Sequence, residues 1–139
     1  MRRNLPPEAL GDLLTRPQHA ILALYRADGT VLQTPVWQEW REGSFWFYIP
    51  GGDRKITMLR HDPRVSIVVA AVLWPYPAIQ VDGHVEMSTA GARDVARRIA
   101  ARFDPTRPPD AYIGDEDPVL CRVVAKRTRA WDYSDEKYT

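Results

Sequence analysis

The residues with the clearest chemical potential lie in the stretch GGDRKITMLRHD, from Gly51 to Asp62. Asp53 has the character of a helix N-cap, and Asp62-Pro63 that of the stop ending the helix. The helix therefore opens with Arg54 and Lys55. A helix N-terminus carries partial positive charge and favours carboxylates, so two cations there oppose the local field. A bound anion explains them. The unpaired N–H groups of a first turn hold an oxyanion, the two side chains add charge, and Gly51-Gly52 lets the backbone approach a ligand closely. The competing explanation is that both cations simply point to water, and the spacing leaves the two open.

Other chemistry finds little support. The chain has no GxGxxG and no GKT or GKS, hence no dinucleotide fingerprint or P-loop. His19, His61 and His84 lie far apart and Cys121 is the single cysteine, so no metal site is expected. Neither Ser44, Ser66 nor Ser88 stands in a nucleophile motif. The carboxylates fall mainly in turns and in the last residues, which argues against a glycosidase pair. No catalytic side chain is assigned. Arg93, Arg97, Arg98 and Arg102 line one side of a later helix and read as a solvated face.

Whole-chain numbers narrow the class. Residues 1–139 are read as one domain, since 139 residues is the length of one. A net charge of +1 speaks against a nucleic-acid partner, including one docked on the arginine helix. No apolar run reaches the roughly 18 residues of a membrane span. The start, MRRNLPPEALGDLL, interrupts any signal-peptide pattern with acids and prolines. With a lone cysteine, a reducing, cytoplasmic location is expected. Five tryptophans and six tyrosines suit a core, a pocket for a flat ligand, or a subunit interface.

The elements that must position the anion site follow from punctuation and periodicity. Pro6-Pro7 and EALGDLLTR predict a short helix with Leu10, Leu13 and Leu14 on one side. HAILALYRA predicts a strand, Asp28-Gly29 a two-residue hairpin, and TVLQTPVWQEW the return strand. Glu42-Gly43 makes the next turn and SFWFYI the third strand. The Arg54-Lys55 helix follows, with Ile56 and Leu59 facing inward. RVSIVVAAV reads as a strand buried on both faces, and LWPYP breaks it. AIQVDGHVEM is a strand with Ile79, Val81 and Val85 inward and Gly83 at a bulge. TAGARDVARRIAARF is an amphipathic helix buried along Ala92, Val95, Ile99 and Phe103. DPTRPPDAYIGDEDP reads as a loop with one helical turn, VLCRVVAKRTRAWDY as the closing strand, and SDEKYT as a frayed tail. Six short antiparallel strands with buried runs predict a mainly β protein closed into a barrel.

Three blocks, in order and spacing, resemble a known family. They are ADGTVLQTPVWQEWREGSFWFYI, DRKITMLRHDPRVSIVV, and AIQVDGHVEM with the late RVVAKRTRAWD. Together they are similar to the pyridoxamine-phosphate-oxidase-like split β-barrel, in its small flavin- or deazaflavin-dependent branch. The resemblance implies a six-stranded antiparallel split β-barrel with short flanking helices. It implies FMN or coenzyme F-420 as cofactor, and the Thr-Pro-Val-Trp form resembles the deazaflavin group more. Arg54 and Lys55 then grip the cofactor phosphate, with Tyr48, the backbone of Ile49 and Pro50, and Thr57 in reach of the same oxygens. The ring system lies along Thr34, Pro35, Val36 and Trp37. The family pattern implies a homodimer with cofactor in the cleft between subunits; Trp74, Tyr76 and Trp131 are candidates for the partner's contribution. The implied function is hydride transfer between a tricyclic cofactor and a small organic substrate. The alternative is a non-catalytic flavin- or haem-binding module, a sensor or carrier. Met58 stands where the family has Asn, and Gln38-Glu39 where it has aromatic or aliphatic residues. The substrate-phosphate residues of the vitamin B6 oxidases are not found near the C-terminus, so that substrate is not assigned.

Overall fold

The structure, a computed structural model, describes residues 1–137. Seven strands form one antiparallel sheet: β1 (Ala20–Tyr25), β2 (Val31–Val36), β3 (Gln38–Arg41), β4 (Ser44–Ile49), β5 (Arg64–Ala70), β6 (Ala78–Ser88) and β7 (Val119–Trp131). Their order is β2-β1-β5-β6-β7-β4-β3. The two edge strands are consecutive in the chain and are separated by Trp37 alone. The sheet curls into a half-barrel whose two edges follow one another in the chain but form no ladder together, as in a split barrel rather than a closed one. Helices α1 (Arg54–His61), α2 (Ala92–Phe103) and α3 (Asp110–Ile113) flank it.

The count of six strands is corrected to seven, and the reason is local. TVLQTPVWQEW does not run as one strand. Val31–Val36 pairs with β1, Trp37 belongs to neither ladder, and Gln38–Arg41 pairs with β4. One segment thus serves both edges of the same sheet.

Alternation does the rest. Leu22, Leu24, Phe45, Phe47, Ile67, Val69 and Ile79 point to one interior and are almost fully buried. Each contributes roughly 1.5–3 kcal/mol relative to exposure. Ile56 and Leu59 of α1 join this core, as do Leu10, Leu13 and Leu14. The last three do so from a 3-10 turn, Pro7–Leu10, and the bends after it. Gly11, at φ +64°, ends the expected helix there. β5 is buried on one face only, through Val65, Ile67 and Val69; Ser66 and Val68 are half-buried. The sheet curls around a single core, so the outer face of β5 has no helix layer over it. The Asp28-Gly29 hairpin has three loop residues, not two: Arg26 N–H donates to Thr30 O, and Gly29 stands at φ +85°. Of the tail expected to fray, Tyr138 and Thr139 lie outside the described residues. Ser134 is bonded to Asp132, and the Met1 ammonium pairs with Asp135 and Glu136. Among the described residues no helix is long and apolar enough to cross a membrane.

The arginines of α2 lie at the surface, Arg97 and Arg98 about half exposed, and each is also bonded within the protein. Arg98 makes two hydrogen bonds of 3.0 Å to the Glu39 carboxylate. Arg102 donates to the carbonyls of Gln38 and Arg16. Arg97 grips Asp110 at 2.9 and 3.1 Å, and Arg93 reaches the carbonyls of Gly114 and Glu116. The helix fastens β3 on one side and the segment before β7 on the other.

Gly83 sits at a register shift between β6 and β7, as its position in the strand predicts. A Cβ there would lie 2.0 Å from Val124 O. Gly83→Ala is expected to destabilise the fold by about 1–3 kcal/mol. The check is a lower urea midpoint at unchanged slope.

Candidate functional site

The sequence places Arg54 and Lys55 at the start of α1, and the structure shows what compensates the second of them. Asp53 is the N-cap and accepts the Lys55 N–H at 2.9 Å. Its other oxygen lies 2.9 Å from Lys55 Nζ. Partial burial works against the Asp53 carboxylate, but these hydrogen bonds and the charges of Lys55 and Arg54 outweigh it and hold its pKa below the usual range. The Lys55 ammonium is thus held over its own cap and stays near the first turn. Arg54 is exposed.

Gly51 and Gly52 have a partner other than a ligand. A Cβ on Gly51 would lie 2.5 Å from Asp117 O, and one on Gly52 2.8 Å from Glu116 Oε2. Their lack of side chains admits the acidic segment before β7. The close approach expected of a ligand is made here by the chain itself.

Beside Lys55 opens a cleft of about 390 Å³ lined by His19, Pro35, Val36, Trp37, Tyr48, Pro50, Asp53, Lys55 and Tyr112. Three elements meet here. The end of β2 supplies Pro35 and Val36, with Trp37 at the break, because the chain leaves one ladder there before joining the next. The end of β4 supplies Tyr48, and α1 supplies Lys55. Burial, with the Tyr112 phenol adding to it, pushes the Tyr48 phenol up to about 12, so it remains a neutral hydroxyl. Trp37 stacks on Phe103 at 5.3 Å and meets Tyr112 edge to face at 4.7 Å. Its Nε1 donates to His19 Nε2 at 3.0 Å.

Of the residues singled out in the sequence, Pro35, Val36, Trp37, Tyr48 and Lys55 come together here, with Pro50. Thr34 lies one residue back on β2, half-buried. Ile49 turns its side chain into the core and is outside the lining. Arg54 is outside the lining, and Thr57 lines a neighbouring depression with Arg60 and the acidic residues Asp115, Glu116 and Asp117. His19 and Tyr112 were not identified from the sequence. His19 carries no motif, and Tyr112 lies in a Pro- and Asp-rich loop whose one signal is an aromatic residue out of place. Among the described residues, no three of His, Cys, Asp or Glu converge as a metal set.

With fold and cleft in view, the relatives can be placed. The family model for pyridoxamine 5'-phosphate oxidase matches residues 6–132, and the chain belongs to that family. Among solved structures, a conserved Mycobacterium tuberculosis protein, Rv2991, superimposes with a TM-score of 0.78 at 22% identity, over 97% of this chain and 91% of that one. An F-420 reductase gives 0.75 at 26% identity, over 88% of this chain and 98% of that one. A FAD-binding protein from Mesorhizobium loti gives 0.68 at 18% identity, over 93% and 95%. No curated protein matches the sequence.

The Tyr48 shift has a pH consequence. A phenol with a folded pKa above its unfolded value of 10.0 holds its proton more tightly when folded. Stability from this group is complete below pH 10 and falls as pH rises towards 12, by at most about 1.4 kcal/mol per pH unit. Cys121, which burial also pushes up to about 12, adds a fall of the same sign. Urea titrations between pH 9.5 and 11.5 are expected to show a shallower loss in Tyr48→Phe than in wild type.

Proposed function

We propose that the protein is a small oxidoreductase that binds a flavin or deazaflavin in this cleft, FMN or coenzyme F-420, and works as a homodimer. The observation carrying the proposal is the pairing of an aromatic, largely apolar cleft with the Lys55 ammonium at the first turn of α1. The residues present fit such a group. Pro35, Val36 and Trp37 offer an apolar surface to a ring system, and the Lys55 ammonium, at the positive end of α1, offers charge to a phosphate. The bound cofactor would supply hydride chemistry; the chain supplies binding, orientation and exclusion of water. Tyr48, protonated at neutral pH, is available as a hydrogen-bond donor. The likeness to an F-420 reductase supports the deazaflavin as the favoured cofactor. A cytoplasmic location belongs to the same proposal, supported by the single, buried Cys121.

The turn between β5 and β6 exposes Val72, Leu73 and Trp74 at 84, 69 and 52%. Exposed apolar side chains clustered in one turn support a contact with a second copy. Sedimentation equilibrium at micromolar concentration is expected to give a dimer of 15.9 kDa protomers. A clean monomer excludes it.

A second reading has its own support: the Mesorhizobium relative is described by what it binds, FAD. On that reading the chain is a non-catalytic flavin carrier or sensor. Turnover of a reduced cofactor in the presence of electron acceptors separates the two, and absorbance of the purified protein separates flavin, deazaflavin and haem.

The central test is a titration of FMN and coenzyme F-420 into wild type, Arg54→Ala and Lys55→Ala at two salt concentrations. Loss of a charge-assisted hydrogen bond worth about 1.5–3 kcal/mol weakens binding roughly 10- to 150-fold. Lys55→Ala is expected near the lower end, because Asp53 competes for the ammonium. Equal binding by all three proteins removes the phosphate site and with it the chemical support for the function.

A further inference from the structure

Among the residues lining the cleft, Tyr112 is the one contributed by the segment between α2 and β7. Its ring stands at 68° to Trp37, edge to face, and Trp37 lies nearly parallel to Phe103 at 15°. The polar atoms of both residues are occupied within the protein. The Tyr112 hydroxyl donates to Asp104 Oδ2, and Trp37 Nε1 donates to His19. What these two side chains leave for a ligand is therefore apolar ring surface.

Tyr112 is only half-buried, so packing alone does not hold it. Polar contacts around it do. Asp104 N–H closes the last turn of α2 on Ala100 O, and Asp104 Oδ1 accepts the Thr106 N–H at 3.0 Å. The second oxygen is left to receive Tyr112. Arg97 grips Asp110 at the start of α3, and Arg93 takes the carbonyl of Gly114 just after it. The segment is pinned before, at and beyond the tyrosine. A wall fixed in advance costs a ligand less ordering entropy than one that must be assembled.

We propose that Tyr112 is a specificity-determining wall of the ring site and that Asp104 is its positioning residue. Together they select flat, apolar-faced ring systems with an anionic group at the Lys55 end. This rests on the cleft being a ring site, and extends it to a segment that the sequence presents as a loop.

Fluorescence titrations with riboflavin, FMN and 1-naphthyl phosphate test it. The proteins are wild type, Tyr112→Ala, Tyr112→Phe, Asp104→Ala, the Tyr112→Phe/Asp104→Ala double variant, and Lys55→Ala, each with a thermal melt. Tyr112→Ala is expected to weaken all three probes roughly 5- to 50-fold, the size of a lost stacking contact. Lys55→Ala is expected to weaken the two phosphates and spare riboflavin. Tyr112→Phe keeps the ring and loses the anchor, so a smaller loss of about 2- to 5-fold is expected, with no further loss in the double variant. Unchanged or tighter riboflavin and naphthyl phosphate binding by Tyr112→Ala overturns the wall. Additive losses in the double variant overturn the role of Asp104. Binding of naphthyl phosphate that depends on Tyr112, with no binding of any flavin or deazaflavin, upholds the wall and removes the flavin reading. Binding of no probe by wild type overturns the wall, and the cofactor reading then falls with it if coenzyme F-420 in the titration above does not bind either.

Discussion

A sheet that curls into a half-barrel keeps two edges, and here one stretch of chain, Val31–Arg41, supplies both of them. It cannot satisfy both neighbours at one point. Pro35, lacking an N–H, is tolerable because β2 is an edge, where part of the backbone faces away from the ladder. Two residues later the chain changes partners. Trp37, belonging to neither ladder, is left at the opening, and the cleft forms around it. The cleft is thus a by-product of curling the sheet, and its position follows from where the strand breaks.

A break in a strand is a weak place unless something spans it. Helix α2 does so with charge-assisted hydrogen bonds. Arg98 holds Glu39, and Arg102 reaches the Gln38 carbonyl, both on the far side of the break. Arg98 is about half exposed, so the value of its pair lies more in geometry than in energy. The same helix, through Arg93 and Arg97, fixes the segment that carries Tyr112. Phe103, at its end, supports Trp37 from below the stack. One helix therefore sets two walls of the cleft.

The electrostatics at α1 follow a similar logic. Two cations at a helix N-terminus invite an anion, and Asp53 is already one. It caps the helix and pairs with Lys55 at the same time. A phosphate arriving there meets a lysine that is held in place and partly neutralised. The acidic residues beside Gly51 and Gly52 add negative charge to the neighbouring depression.

The sequence by itself determined the elements and most of the inward-facing residues. Period-two alternation in SFWFYI and AIQVDGHVEM, the cap at Asp53 and the stop at Asp62-Pro63 are local properties, legible because neighbours in sequence impose them. The grouping of Pro35, Trp37, Tyr48 and Lys55 came through the ordered blocks that mark the family, since no local rule connects residues from different elements. Tertiary structure alone decided the rest. The split of TVLQTPVWQEW depends on which strand lies on each side. The role of the α2 arginines depends on carboxylates and carbonyls tens of residues away, such as Glu39 and Gly114. The function of Gly51-Gly52 depends on Glu116 and Asp117 returning from the other end of the chain. His19 and Tyr112 enter the cleft only because the sheet curls and α3 folds beside it. A charge or a ring carries no mark in sequence of the partner it will meet, because that partner is chosen by the path of the backbone between them.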